Sequence, residues 1–473
     1  MDSENSFQNT SSELETSSQH SLVVQGETIK LSQRRWLILA GVTIVALLYS
    51  FANQTSPVLD VMIKVVGIDK DKYFYLERLF GYQMALISIP TARFVDRFGI
   101  RLSMYLMAVL TAIHAILKGL LYSIHFPNWQ HYRLSYYIAS NFVNIQILAI
   151  YMCLPLKISE VWFADSEKSF AWSMMSSLNG ISIALASYLY PKLIPRIEDV
   201  KLLFHISTAC AVITVITIFV TITKSKPKHP ANTRMAKDPA RDKQSLWVSI
   251  KKMSKQRDLS LDLIHSAVFN SIYSAMVGNI PDILESAKRS EVFTGDLNSI
   301  FNLLHMTLTM TFANFVHLVR NPTRTCKTAS FFQAILYVTY LFVMLTPNPA
   351  WLLYMSALTF AMVKSWAVPN FTNMQAHLAC GTVSYATIVG VGITVACIAN
   401  TLIGIPFVAL IKIDKKGTDY TWAIAFISIV CMVNEAVFLT LFQGKSAKQM
   451  EEEATEPPST YAEIPTSIRT IHC

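Results

Sequence analysis

The hydrophobic pattern of the chain consists of long, nearly uncharged apolar stretches separated by short polar segments. Twelve of these stretches have about the 20 residues that an α-helix needs to cross a hydrocarbon core of roughly 30 Å. We therefore predict an all-α, polytopic membrane protein with twelve transmembrane helices in two six-helix repeats. The approximate limits of the spans are residues 35–57, 73–95, 102–122, 135–156, 169–190, 202–223, 259–283, 297–319, 328–345, 351–368, 383–410 and 422–442.

The polar segments divide the chain into five regions. Residues 1–33 are rich in Ser, Thr, Glu and Gln, and residues 443–473 are acidic, so both are predicted to be disordered tails. Between the six-helix bundles at 34–223 and 258–442 lies a linker at 224–257 with eleven Lys or Arg and two Asp. Because Lys and Arg concentrate in cytosolic segments, we expect both tails and the linker in the cytosol.

Part of this linker has an amphipathic pattern. Residues 246–253 could lie as a short helix on the anionic inner leaflet, or the linker could be a solvated basic segment that only fixes topology. A second basic loop at 319–327 occupies the place in the second half that residues 89–101 occupy in the first. This repetition favours two structural repeats.

Composition excludes several classes of protein. The chain has 52% hydrophobic and 15% charged residues and a mean hydropathy of +0.38, whereas a soluble domain carries about 25% charge. The net charge of +9 comes from residues between apolar stretches, so we predict no nucleic-acid partner. The seven cysteines have no paired spacing, which argues against a metal site or other cofactor. No nucleophile elbow, phosphate loop or zinc-protease motif occurs, so we predict no enzyme activity.

One tight basic loop stands between the second and third spans. It contains Asp96, Arg97, Gly99 and Arg101, and Ala92 lies four residues before the Asp. The Asp-Arg-x-Gly-x-Arg pattern resembles the signature loop of the major facilitator superfamily. The resemblance implies a cytosolic latch, in which the Asp lies at the positive end of a helix in the other half, near Arg partners, and separates as the halves rock. The alternative is a loop whose Arg residues only set the orientation.

A second resemblance lies at residues 154–171. Its Pro155, Lys157, Trp162, Phe163, Glu167 and Ala171, together with Arg35-Trp36-Leu37 and Lys118, resemble the feline leukaemia virus subgroup C receptor-related transporters. This implies a solute such as choline, ethanolamine, haem or a vitamin. At Asn53 and Gly180 the family has Trp and Gln instead. Residues 385–390 and Asn400-Thr401 are similar to the thiamine and folate carriers, which offers that alternative substrate class.

Candidate solute-binding residues are ionisable or polar groups within the predicted spans, where such groups are costly and usually face a cavity. Lys364 and Glu435 have the most central positions, while Lys118 could instead extend to the outer surface. The predicted set is Asn53, Gln54, Lys118, Trp172, Asn179, Tyr273, Lys364, Trp366, Asn370 and Glu435.

These observations predict a carrier that moves a small organic solute through the lipid bilayer by alternating access, with a coupling proton or ion as a candidate partner. The alternative is a receptor or scaffold built on a transporter fold. In the acidic tail, Tyr461 and Ile464 form a Tyr-x-x-apolar pattern typical of a clathrin-adaptor sorting signal. We therefore expect the plasma membrane or an endolysosomal membrane.

Overall fold

The computed structural model describes most of the chain. It covers residues 21–24, 27–30, 32–122, 132–164, 166–194, 196–227, 245–277, 280, 283–284, 291–319, 321–346, 348–379, 383–414 and 417–445. The predicted sorting residues Tyr461 and Ile464, most of the linker and most of both tails lie outside these ranges.

The described elements are mainly long α-helices. In chain order they are α1 Arg34–Asn53, α2 Leu59–Val66, α3 Lys70–Tyr122, α4 Arg133–Trp162, α5 Lys168–Leu193, α6 Val200–Thr221, α7 Leu246–Lys255, α8 Arg257–Val277, α9 Glu291–Ala313, α10 Pro322–Leu345, α11 Ala350–Leu378, α12 Tyr385–Ala409 and α13 Thr421–Leu441. Single 3-10 turns lie at Ser56–Val58, Ile197–Asp199 and Val316–Leu318. Two antiparallel hairpins complete the set: β1 Ser21–Val24 with β2 Glu27–Lys30, and β3 Lys412–Asp414 with β4 Gly417–Asp419.

Every predicted span overlaps one of these helices, which confirms the helical membrane fold. The second and third spans both fall within α3, which is interrupted at Gly99, where φ is 79°. Glycine adopts this left-handed conformation without the steric cost of a Cβ atom. Eight of the described helices are long and apolar enough to cross a membrane. Helices α5, α8 and α9 fall outside this set because they carry polar residues, many of which face the protein interior.

The helices pack into two bundles, each with its own apolar core. In the first bundle the core includes Ile38, Trp162 and Met175, and in the second it includes Tyr337 and Phe360. The bundles meet where α3 packs on α12 and where α5 packs on α9. Small residues allow both contacts, since tight helix crossings need side chains that do not hold the backbones apart.

The α5–α9 contact depends on Gly180. A Cβ atom at this position would overlap the side chain of Met306 on α9. Further along the same contact, the Ser299 hydroxyl donates to the Ala184 carbonyl at 3.3 Å. Met306 therefore fills the volume that a larger residue at position 180 would need.

Three local features differ from the sequence expectations. Helix α11 continues through Pro369 to Leu378, although the span was predicted to end at residue 368. A proline removes one backbone donor, and a helix packed on its neighbours tolerates that loss. Helix α2 was not predicted. The hairpin β1–β2 lies within the segment 1–33, where β-branched residues such as Val23 and Ile29 favour strand pairing.

Helix α7 forms within the linker, at the position of the amphipathic pattern. Ser249 and Met253 are buried against the bundle, whereas Trp247 is 74% exposed. The basic residues Lys252 and Lys255 lie in its last turn. The helix itself is therefore confirmed, and its position on a membrane surface stays a prediction.

Candidate functional site

The first candidate centre surrounds Asp96, three residues before the break at Gly99. Its side chain is buried, and its carboxylate accepts hydrogen bonds from the hydroxyls of Ser384 and of Thr387, the latter at 2.9 Å. Ser384 precedes α12 and Thr387 lies in its first turn. The backbone amides at a helix N-terminus carry a partial positive charge that favours a carboxylate. Asp96 thus connects the first bundle to the N-terminus of a helix in the second.

The cation beside Asp96 is Lys157 on α4. Its Nζ atom lies 3.2 Å from Asp96 Oδ1 and 3.6 Å from Glu160 Oε2, and it donates to the Ser384 hydroxyl at 3.4 Å. All three charged groups are buried. The resemblance implied arginine partners, and sequence reasoning did not assign Lys157 to this centre. An ionisable residue inside a helical stretch was the available signal.

The arginines of the loop point elsewhere. The Arg97 guanidinium lies 5.5 Å from the centroid of the Phe98 ring. Arg101 donates from Nε to the Tyr105 hydroxyl at 3.3 Å, and its backbone N–H donates to the Ser225 hydroxyl at 3.2 Å. These contacts surround the break at Gly99 within α3 and connect it to Ser225, which follows α6.

Beyond Asp96, helices α3 and α12 approach unusually closely. A Cβ atom at Gly390 would lie 2.6 Å from Ala92 Cβ and 2.9 Å from the Ser88 carbonyl oxygen. Further along, the Thr394 hydroxyl donates to the Ala85 carbonyl at 3.0 Å. Since a larger side chain at Gly390 or Ala92 would separate the helices, the hydrogen bonds to Asp96 depend on this small-residue crossing.

The second candidate centre is the buried ammonium of Lys364 on α11. Its Nζ atom lies 3.0 Å from the centroid of the Tyr273 ring and 5.8 Å from that of Phe301. The residue is 7% exposed, and in the described part of the chain no carboxylate forms an ion pair with it. Among the described residues, the electron-rich faces of the Tyr273 and Phe301 rings therefore stabilise the Lys364 ammonium.

Aromatic rings extend this centre into the second bundle. Phe360 stacks on Phe301, with ring centroids 5.7 Å apart, and on Tyr340, with ring centroids 6.0 Å apart. A small cavity beside them is lined by Tyr273, Ile280, Leu297, Asn298, Phe301 and Tyr340. The arrangement offers one cation and several flat apolar surfaces, but the cavity measures only about 10 Å³, so it has to widen before an organic group with a negative charge can enter.

A larger cavity of about 180 Å³ opens between the bundles at the end that carries Asp96. We call it the vestibule. It is lined by Leu156, Ser159, Lys168, Ser169, Trp172, Pro322, Pro369, Thr372, Asn373, Ala376, His377 and Tyr385. Of the predicted solute-binding residues, only Trp172 is among these lining side chains.

Two predicted residues, Asn53 and Lys118, contact each other inside the first bundle. Lys118 donates to the Ala52 carbonyl at 2.6 Å and lies 3.5 Å from Asn53 Oδ1. His114 Nε2 lies 2.8 Å from the same amide oxygen. The Ala52 carbonyl belongs to the last turn of α1, where a cation stabilises the helix end. This geometry gives Lys118 a structural partner at a helix terminus.

The remaining predicted residues lie apart. Gln54 follows α1, and Asn179 is half-buried on α5. On α11, the Asn370 side-chain amide donates to the Trp366 carbonyl at 2.7 Å. Glu435 on α13 lies 3.3 Å from His265 Nε2 and accepts from the Ser330 hydroxyl, within the second bundle. The structure therefore brings together Lys364 with Tyr273, Asn53 with Lys118, and Trp366 with Asn370.

Comparison with known proteins by sequence gives a consistent result. The profile of the Major Facilitator Superfamily matches residues 39–404. The choline/ethanolamine transporter FLVCR2 of Rattus norvegicus is 28% identical over 218 residues, which are 44% of this chain and 38% of that protein. The Homo sapiens protein of the same name is 28% identical over 215 residues, which are 43% and 38%. The chain thus matches well under half the length of these relatives, and the resemblance of its first half is confirmed.

Solved structures show the same architecture. FucP of E. coli, crystallised in the outward conformation, gives a TM-score of 0.63 at 12% identity, over 87% of this chain and 100% of that chain. The human organic anion transporter MFSD10 gives 0.61 at 14% identity, over 86% and 99%. The proton:xylose symporter XylE gives 0.59 at 12% identity, over 89% and 98%. At these identities the likeness is one of fold.

Proposed function

The chain belongs to the Major Facilitator Superfamily, and from this membership we propose that it carries a small organic solute by alternating access, with Lys364 and Tyr273 in the solute site and Asp96 in the latch. It is a multi-pass integral membrane protein of a transporter family. In the proposed cycle, the two bundles rock about the site, and the Asp96 contacts with Ser384 and Thr387 break when the vestibule opens.

The observation that carries the substrate proposal is the position of Lys364 Nζ, 3.0 Å from the centre of the Tyr273 ring. The ammonium occupies the ring face on which a cationic solute would stack, so such a solute has to displace it. An anionic group can instead pair with the ammonium while a flat apolar body packs on Phe301 and Tyr340. We therefore favour a solute with a carboxylate or phosphate, of the vitamin-like or haem-like kind.

Choline or ethanolamine is the second candidate, because the curated relatives are named as transporters of those amines. In that case Tyr273, Trp172 or Trp366 would provide the cation–π contact that a Trp provides in the family at the position of Asn53. The thiamine- and folate-like class belongs to the first candidate where the compound is anionic and to the second where it is cationic.

An uptake experiment on proteoliposomes tests both candidates. Choline, ethanolamine, haem, thiamine, pyridoxine phosphate and folate are offered to vesicles that contain the wild type, Lys364→Ala or Tyr273→Ala, with the exposed Lys201→Ala as the matched control. The favoured proposal expects saturable uptake of an anionic compound that Lys364→Ala abolishes and Lys201→Ala leaves intact. Uptake of choline or ethanolamine that only Tyr273→Ala abolishes would support the second candidate.

The same experiment tests the remaining alternative. A receptor or scaffold would bind one of these compounds without saturable uptake into the vesicles. The coupling proton or ion, a plasma or endolysosomal location, and a clathrin-adaptor signal at Tyr461 and Ile464 belong to this proposal as well. The sequence supports all three, and buried carboxyl groups in the second bundle also support the proton.

A further inference from the structure

Asp262 is a fully buried carboxylate on α8, five residues after the start of that helix. Its exposure is 0%, and neither Oδ1 nor Oδ2 has a hydrogen-bond partner among the described residues. The side chain of Gln375 on α11 faces the carboxylate, but without the geometry of an ordinary hydrogen bond. Buried carboxylates are normally paired or hydrogen-bonded, because an isolated charge in an apolar interior is strongly unfavourable.

One turn further along α8, His265 joins a second acidic group. Its Nε2 atom lies 3.3 Å from Glu435 Oε2 on α13 and 3.0 Å from the Ser330 hydroxyl on α10. The opposite atoms, His265 Nδ1 and Glu435 Oε1, are buried without a hydrogen bond among the described residues. The imidazole stacks on Phe438 with ring centroids 4.1 Å apart.

No basic side chain in the described part of the chain forms an ion pair with Asp262. Among the described residues, the titratable groups that face this cluster from neighbouring helices are Cys326 on α10, towards Asp262, and Cys431 on α13, towards Glu435. Lys327, next to Cys326, donates its ammonium to the Leu439 carbonyl at 2.9 Å. Met253 on α7 and Ile388 on α12 belong to the same buried apolar cluster as Leu263, the residue after Asp262. Glu435 has His265 as a partner, whereas neither oxygen of Asp262 has a hydrogen-bond or ion-pair partner among the described residues.

We propose that Asp262, His265 and Glu435 form a proton-binding site, with the proton held on the Asp262 carboxyl in this conformation. When the second bundle opens, water reaches the carboxyl, its O–H bond breaks, and the proton leaves to solvent while the carboxylate keeps the electron pair. Gln375, which faces the carboxyl, lies between Asn373 and Ala376 on α11, and both of these residues line the vestibule. Use of this proton to drive a solute rests on the transport function proposed above, whereas binding of the proton does not.

The test measures protonation directly and needs no solute. Infrared spectra of the full-length protein in lipid nanodiscs are recorded from acid to alkaline pH, and the carbonyl stretch of protonated carboxylic acids is followed in the wild type, Asp262→Asn, Glu435→Gln and Asp258→Asn. Asp258 is the matched control because it is also buried and lies one turn before Asp262. Its two oxygens accept from the backbone N–H groups of Gln443, at 3.4 Å, and Lys445, at 2.7 Å.

We expect a band that persists at neutral pH in the wild type and in Asp258→Asn and is lost in Asp262→Asn. Glu435→Gln should shift the pH at which that band disappears. A wild-type spectrum without such a band, or one that Asp262→Asn leaves unchanged, overturns the proposal. If the wild type shows this band but takes up none of the offered solutes, the result counts against the proposed transport function and not against the proton site.

A second measurement, with a different substitution, tests the proposal if Asp262→Asn does not fold. The midpoint of thermal unfolding is measured against pH in the wild type and in Asp262→Ser. A native state that holds a proton which the unfolded state has released loses stability as pH rises. The wild-type midpoint should therefore fall as pH rises from the acid range, where an unfolded Asp ionises, to the pH at which the infrared band disappears, and that of Asp262→Ser should lack this fall. Parallel profiles would contradict the proposal.

Discussion

The carboxylate of Asp96 lies 3.2 Å from the ammonium of Lys157, and both groups are buried at the junction of the two bundles. The pair lies next to Ser384 at the start of α12, so its charges act across the surface along which the bundles move. A buried ion pair adds little stability over an apolar pair, but removal of one partner leaves a costly unpaired charge. Asp96 is therefore suited to stabilise one conformation of the transport cycle relative to another.

The first prediction concerns Asp96→Asn. The amide keeps the shape of the carboxylate and loses its charge, while Lys157 keeps Glu160 at 3.6 Å, so the closed conformation should be destabilised by about 1–3 kcal/mol relative to the open one. We expect slower transport at a near-normal surface level, and faster alkylation of a cysteine placed at Thr372 in the vestibule. Arg97→Gln is the control, because Arg97 contacts the Phe98 ring of its own helix. An unchanged turnover in Asp96→Asn would contradict the latch.

The second prediction concerns the crossing of α3 and α12. In Gly390→Ala the new methyl group would meet Ala92 and the Ser88 carbonyl at less than contact distance, which should cost about 1–3 kcal/mol. We expect a lower midpoint of thermal unfolding and faster alkylation of a cysteine placed at Thr372. Gly392→Ala is the matched control, since its methyl group would lie 3.5 Å from Leu263, an ordinary contact. Equal effects of the two substitutions would refute a special role for Gly390.

The third prediction concerns the coupling between Lys364 and Tyr273. A desolvated cation–π contact is worth about 2 kcal/mol. A double-mutant cycle of Lys364→Met and Tyr273→Leu, measured by unfolding in detergent, should give a coupling energy of that size. The same cycle for Lys364 with Tyr354, a partly exposed tyrosine of the same helix, should give a value near zero. Additive effects of Lys364→Met and Tyr273→Leu would mean that the ring does not hold the ammonium.

The fourth prediction separates a structural role of Lys118 from a solute-binding role. Its ammonium donates to the last turn of α1, so Lys118→Met should destabilise the protein by about 1–3 kcal/mol. The KM for whichever solute the vesicles take up should stay unchanged. A raised KM with unchanged stability in Lys118→Met would instead support a role of Lys118 in solute binding.

Sequence reasoning was sufficient for features that depend on neighbouring residues. Gly99 indicated the break between two spans because a turn of that length needs a left-handed residue, and the structure has φ of 79° there. The apolar stretches located the helices because the bilayer thickness sets their length. The Leu246–Lys255 helix was visible in its alternation of apolar and basic residues.

Partners distant in sequence could not be predicted in the same way. Lys157 is 61 residues from Asp96, and no spacing rule links them. An ionisable group within a span indicates a protein-facing position, but it does not distinguish a cavity from a helix end, and Lys118, for which the sequence allows a solute role or extension to the outer surface, lies at a helix end. Asp262 gives no such signal in the sequence because it lies near the end of a span, where a carboxylate is expected to reach water.

The overlap between position 180 and Met306 has an evolutionary consequence. Because the Met306 side chain has to move aside for any side chain at position 180, the two positions are expected to form a compensating pair across the bundle junction. A homologue with a long side chain in place of Gly180 should have a small one in place of Met306, and single exchanges should be selected against. An alignment of close orthologues would then show correlated substitution at these two sites, with Gly–Met and large–small combinations common and large–Met combinations rare.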